Sequence, residues 1–178
     1  RTVIGGMYER QIDASTVFTL EADYDVRDIN QTFTQINDAF YPNFKGYADL
    51  RHDGRLGEMP LKSYLGFFAN NMEQESQTFR NLGDFNGTRG TLAQNSRGTM
   101  RNIGGRLREE LEFVPTWTLA AGLGFQQSQV SVQTIDYNAG GAVNTRAGAD
   151  RTFYNWAPEL SLSWRPTEGY RHWVRAST

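Results

Sequence analysis

Few residues in this chain are spaced for catalysis. The two histidines, His52 and His172, lie far apart, and neither sits at a spacing that metal ligands use. The stretch GDFNGTRG at 83–90 opens like an Asp-x-Asn-Gly calcium loop but lacks the spaced carboxylates that would complete one, so Asn86 and Gly87 read as a turn. The IGG and GLG triplets lack the strand-to-helix setting of a dinucleotide fingerprint. With no cysteine, a disulfide scaffold and a thiolate zinc site are excluded. No Ser/His/Asp set and no paired catalytic carboxylates can be assembled, which predicts a protein that is not an enzyme and carries no cofactor or metal. The charged residues alternate instead. Asp23, Asp25 and Arg27, then Asp49 and Arg51, then Arg106, Arg108, Glu110 and Glu112, then Glu159 and Arg165 each fall on every second or nearly every second position. That pattern suits ion pairing across a wetted wall, with both signs present.

Period-2 alternation is the mark of a strand with two unlike faces. It predicts eight strands, at roughly 1–11, 16–29, 44–53, 61–76, 102–113, 117–132, 153–165 and 170–178. No stretch keeps a helical period over three turns. The segments between strands alternate short and long. Those at 12–15, 54–60, 114–116 and 166–169 are short, and those at 30–43, 77–101 and 133–151 are long. An up-and-down antiparallel meander with this alternation puts all short turns at one end and all long loops at the other, as in an outer-membrane β-barrel with periplasmic turns and extracellular loops. The fold class expected is therefore all-β, an antiparallel meander of about eight strands forming part of a transmembrane β-barrel over 1–178. Both ends fall within alternating sequence, which reads as a piece of a longer chain.

The faces point the same way. Opposite the charged positions stand Phe18, Leu20, Leu50, Leu119, Leu123, Phe125, Leu160 and Leu162, predicted to face lipid, while the charged set would face a water-filled lumen. No apolar run approaches the roughly 20 residues of a membrane helix, and mean hydropathy is −0.60, but strands that are only half apolar give no hydropathy signal. Phe113, Trp117, Trp164 and Tyr170 flank short turns, where an interfacial aromatic girdle would sit. Phe67 and Phe68 put apolar groups on both faces of the fourth strand. Glu109 falls between Leu107 and Leu111 on the apolar face, and a β-bulge at Glu109 and Glu110 would return it to the lumen. Basic and acidic residues nearly balance, 18 against 20, so there is no basic patch to hold nucleic acid.

The stretch NWAPELSLSWRPTEGYRHWVRAST at 155–178 resembles the strand–turn–strand of TonB-dependent outer-membrane receptors. EADYDVRDINQTF, YADLRHDGRL and GGRLREELEF are similar to other strands of such barrels. The resemblance implies one part of a 22-stranded barrel that surrounds a plug domain and imports a scarce nutrient, such as a ferric siderophore, with energy delivered through TonB. It implies a location in the bacterial outer membrane, with lipid, lipopolysaccharide, plug, TonB and a small-molecule ligand as partners. Ligand contacts would come from the long loops, with Phe79, Arg80, Arg89, Tyr137 and Arg146 as candidates. The residues alone leave open a passive porin or small eight-stranded barrel, an adhesin barrel, and a soluble β-sheet binding module.

Overall fold

The computed structural model describes residues 1–83 and 87–177. They form one eight-stranded sheet, ordered β1 to β8 as in the chain, with every neighbouring pair antiparallel. The strands are β1 (Thr2–Gln11), β2 (Thr16–Thr32), β3 (Gln35–Leu56), β4 (Met59–Asn81), β5 (Arg89–Val114), β6 (Trp117–Tyr137), β7 (Val143–Thr167) and β8 (Tyr170–Ser177). Among the described residues there is no helix. β1 and β8 are the two edges of the sheet.

The number and order of strands follow the sequence reading; the long loops do not. β3 to β7 each run 21 to 26 residues. The expected loop at 30–43 is a two-residue turn at Phe33 and Thr34, that at 77–101 shrinks to 82–88, and that at 133–151 to 138–142. The reason is physical. Alternation is visible only where one face must be apolar. Beyond that band neither face has to be apolar, and backbone pairing continues without a hydrophobic alternation. On the apolar face of β5 the band runs from Leu111 to Ile103 and gives way to Arg101, Thr99 and Arg97. That is about the length a tilted strand needs to cross hydrocarbon. The described part of the 82–88 turn includes Gly87 at φ 75°; Asn86 lies outside the described residues.

The turns at the other end have local causes. At 12–15 the Asp13 carboxylate accepts the Ser15 N–H at 2.8 Å and the Thr16 hydroxyl at 3.0 Å. Asp13 is held below the ordinary carboxylate range, first by the Ser15 N–H and then by the Ser15 and Thr16 hydroxyls. Gly57 takes φ 65° in the β3–β4 turn, a conformation that costs glycine nothing.

Register fixes the tilt. One hydrogen-bonded row runs Thr16, His52, Ser63, Glu109, Ala121, Leu160, Ala176. It starts beside the first short turn and lies well above the last, stepping by about one residue per strand, a tilt of roughly 35°. The same row overturns the expected bulge at Glu109. Its pairing to Ser63 and Ala121 is unbroken, so Glu109 stays on the apolar face, where it accepts the Ser63 hydroxyl at 2.6 Å. A carboxylate there costs up to about 2 kcal/mol in lipid, and the hydroxyl offsets part of it.

Phe67 and Phe68 also resolve. Phe68 lies over Gly104 on the polar face, and Phe67 over Gly105 on the apolar face. Two adjacent glycines on β5 thus receive one ring from each side.

The sheet has no dry centre. Among the described residues the only buried hydrophobic side chains are Ile36, Ala39 and Ala120. Leu119, Leu123 and Leu160 are 38%, 47% and 54% exposed, where a soluble domain would bury them.

Candidate functional site: the polar face and the long-strand end

Pairing parity assigns each expected residue to a face. Phe18, Leu20, Leu50, Leu119, Leu123, Phe125, Leu160 and Leu162 share one face through the rows Phe18–Leu50–Leu65–Leu107–Leu123 and Leu119–Leu162. Asp23, Asp25, Arg27, Asp49, Arg51, Arg106, Arg108, Glu110, Glu112, Glu159 and Arg165 share the opposite face. Two of the turn-flanking aromatics, Trp117 and Trp164, meet on the apolar side. Trp117 stacks on Trp164 at 5.7 Å, and Trp164 stacks on His172 at 5.5 Å. Phe113 falls in the register shift between Glu112 and Val114, and Tyr170 opens β8.

Ion pairs and hydrogen bonds tie the polar face together across strands. Glu159, whose side chain is only 7% exposed, is shared by three arginines. Arg106 reaches it at 2.6 Å and Arg175 at 3.1 Å, and Arg108 grips its other oxygen while also pairing with Glu110 at 2.6 Å. Arg106 and Arg108 stand on β5 and Glu159 on β7, so both side chains cross β6. Gly122, paired to Arg108 on one side and Glu159 on the other, has no side chain to obstruct them. The arginines are partly solvated, so each pair contributes on the order of 1 kcal/mol or less. Further along, Arg1 pairs with Asp25 at 2.6 Å, Lys45 with Asp23 at 3.3 Å, and the Tyr64 hydroxyl donates to Asp49 at 2.5 Å. The sequence sets Lys45 with Asp49 and Arg51 on the charged side of its strand, but Tyr64 was not named as a polar-face residue; its parity in β4 was the signal available.

At the long-strand end the five ligand candidates do not converge on one point. Arg89 lies over the Phe79 ring at 4.3 Å and pairs with Asp38. Arg80 donates to the Tyr137 carbonyl at 3.3 Å. Arg146 lies in β7, paired with Ile135 and exposed. Nearby on β6, Asp136 accepts the Gln94 amide at 2.9 Å and the Thr145 hydroxyl at 2.8 Å. These two bonds, Gln94 foremost, hold its carboxyl below the usual range. Such a group stabilises the fold fully above the ordinary carboxylate pKa, and the contribution is lost as pH falls through its lowered value. Asp136→Asn should therefore shrink the loss of unfolding midpoint on acidification below about pH 4, measured against wild type by a pH series of urea melts.

The Thr16 hydroxyl, whose proton goes to Asp13, accepts from His52 Nδ1 at 2.9 Å. Among the described residues no group of three or more histidines and carboxylates comes together that could hold a metal.

An exposed apolar band opposite a charged, cross-linked face is the arrangement of a transmembrane β-barrel wall. The family model described as TonB dependent receptor-like, beta-barrel, matches residues 2–178, and the chain belongs to that family, whose members are receptors rather than enzymes. Barrels of this family lie in the outer membrane of Gram-negative bacteria. Among curated proteins nothing matches the sequence significantly. The fold is similar to the ferric citrate transporter FecA in its unliganded form, with TM-score 0.73 and 12% identity over 98% of this chain and 26% of that one. It is similar to the ferric yersiniabactin uptake receptor FyuA from Yersinia pestis, with TM-score 0.70 and 13% identity over 97% of this chain and 26% of that one. A third likeness is to the ferric-catecholate import receptor Fiu from E. coli K12 in its open form, with TM-score 0.74 and 8% identity over 98% and 34%. The chain thus spans about a quarter to a third of these proteins.

Proposed function

We infer that the chain is part of the wall of an outer-membrane receptor that imports a scarce nutrient, with ferric siderophores as the ligand class. In this reading the Leu119/Leu123 face meets acyl chains and the Arg106/Arg108 face lines the lumen. The short turns are periplasmic, and the ends at 33–34, 82–88 and 138–142 are extracellular. The partners are outer-membrane lipid and lipopolysaccharide, the plug domain and TonB of the full-length receptor, and the small-molecule nutrient. The observation that carries it is the inversion of the sheet: large apolar side chains exposed along one band, and a charged, cross-linked opposite face. The ligand class rests on the printed names of the structural neighbours. The two edge strands support a segment of a larger barrel over a closed eight-stranded one.

Spin labels placed singly in the full-length receptor in lipid vesicles test this. Labels at 119 and 123 should relax faster with a lipid-soluble quencher, and labels at 106 and 108 should not. The reverse pattern would turn the sheet inside out and end the receptor reading.

A further inference from the structure

One polar row crosses the apolar face. Thr16, His52, Ser63 and Glu109 stand side by side on β2, β3, β4 and β5. Toward the long-strand end the next row is Phe18, Leu50, Leu65 and Leu107, and toward the short turns it is Gly54, Leu61 and Leu111. The polar groups satisfy one another only in part. The Thr16 hydroxyl donates to Asp13 and accepts from His52 Nδ1, so the neutral ring keeps a lone pair on Nε2. That atom lies over Gly54, where a Cβ would stand 2.6 Å from it. The Ser63 hydroxyl gives its proton to one oxygen of Glu109 at 2.6 Å. Among the described residues no lysine or arginine nitrogen comes within 4.0 Å of the Glu109 carboxylate. The outward positions of β3 to β6 from this row to the short turns carry no lysine or arginine either. The row offers acceptors and lacks a cation.

Its depth decides what can supply one. Counted from the strand ends at the short turns, His52 and Ser63 are four residues in and Glu109 five, against three for Trp164. That difference is about 3–5 Å along the membrane normal. Interfacial tryptophan marks the headgroup level, so the row lies just inside it. We propose that this row seats the primary ammonium of a phospholipid headgroup, with Glu109 as its contact and Ser63 and His52 as flanking acceptors. A primary ammonium brings three N–H donors and the missing positive charge, whereas a quaternary ammonium brings the charge without a donor. The proposal rests on the apolar face meeting acyl chains.

The test holds the full-length receptor in detergent with equimolar phosphatidylethanolamine and phosphatidylcholine of identical chains, and counts the retained lipid by native mass spectrometry. The wild type keeps phosphatidylethanolamine about tenfold over phosphatidylcholine, and Glu109→Gln brings the ratio close to one. Glu75→Gln is the control and leaves the preference intact, because Glu75 has its own cation in Arg97 at 3.0 Å. In vesicles of phosphatidylcholine alone, Glu109→Gln raises the urea midpoint by removing an unpaired carboxylate, and the gain disappears when half the lipid is phosphatidylethanolamine. Equal retention of the two lipids by the wild type overturns the proposal, as does a preference that survives Glu109→Gln. Self-association that Glu109→Gln abolishes in either lipid also overturns it, since a second copy would then cover the row. Quencher access at 119 and 123 reports the lipid face separately, so the headgroup seat can fail while that assignment stands.

Discussion

Leu123→Arg should lower the stability of the full-length barrel in lipid by about 2–4 kcal/mol, the cost of a guanidinium near the middle of the hydrocarbon. Leu123 is flanked in its row by Leu107 and Pro158 and stands 47% exposed on the apolar face. Among the described residues the carboxylate nearest along that face of β5 is Glu109, two residues from Leu107 and already bonded to Ser63. The matched change Gln126→Arg sits on the polar face of the same strand, where charge of both signs is normal, and should cost about 0.5 kcal/mol or less. Urea titrations of both variants in vesicles give the comparison. Equal, small effects would show that lipid does not cover this face.

Gly104→Val should be nearly as damaging, at roughly 2–3 kcal/mol, for a different reason. A Cβ at this position would stand 2.4 Å from the Phe125 carbonyl oxygen and 2.5 Å from the Phe68 ring. The ring can swing aside on the polar face. The carbonyl cannot, because β6 is fixed to β5 along this stretch by continuous pairing. Adding Phe68→Ala should therefore restore less than half of the loss. Gly6→Val is the control. A Cβ there meets nothing within 4 Å, and a β-branched residue suits a strand, so the change should be close to neutral. The same urea titration reads all three. Full tolerance of valine at 104 would mean that Phe68 packs elsewhere.

These two positions show what the sequence could and could not reveal. Leu123 was legible because alternation from Trp117 to Gln126 is strict, with small and polar residues on every other position. The same holds for β2 and β7, whose charged and apolar faces were assigned residue by residue. Gly104 was not legible. Its role depends on Phe68 in the facing strand, and a double aromatic reads as broken alternation until the glycine pair opposite is known. The three-arginine grip on Glu159 was hidden likewise, since it spans a strand whose contribution is the missing side chain of Gly122. The strand ends were hidden because the hydrophobic constraint stops where the lipid does, while hydrogen bonding between strands does not. Glu109 was visible as an exception but was given the wrong remedy. A neighbouring hydroxyl satisfies it without any break in pairing.

The stretch of β5 from Arg101 back to Gln94, paired without a break on both sides, stands beyond the apolar band. At the tilt set by the register this amounts to about 20 Å of continuous sheet. Oriented as proposed, this part of the wall stands up stiffly from the membrane rather than ending flush with the cell surface. Bulky visitors such as antibodies meet the tips at 33–34 and 138–142 long before they reach lipid, so exchanging those few tip residues would alter surface recognition while leaving the shaft beneath intact.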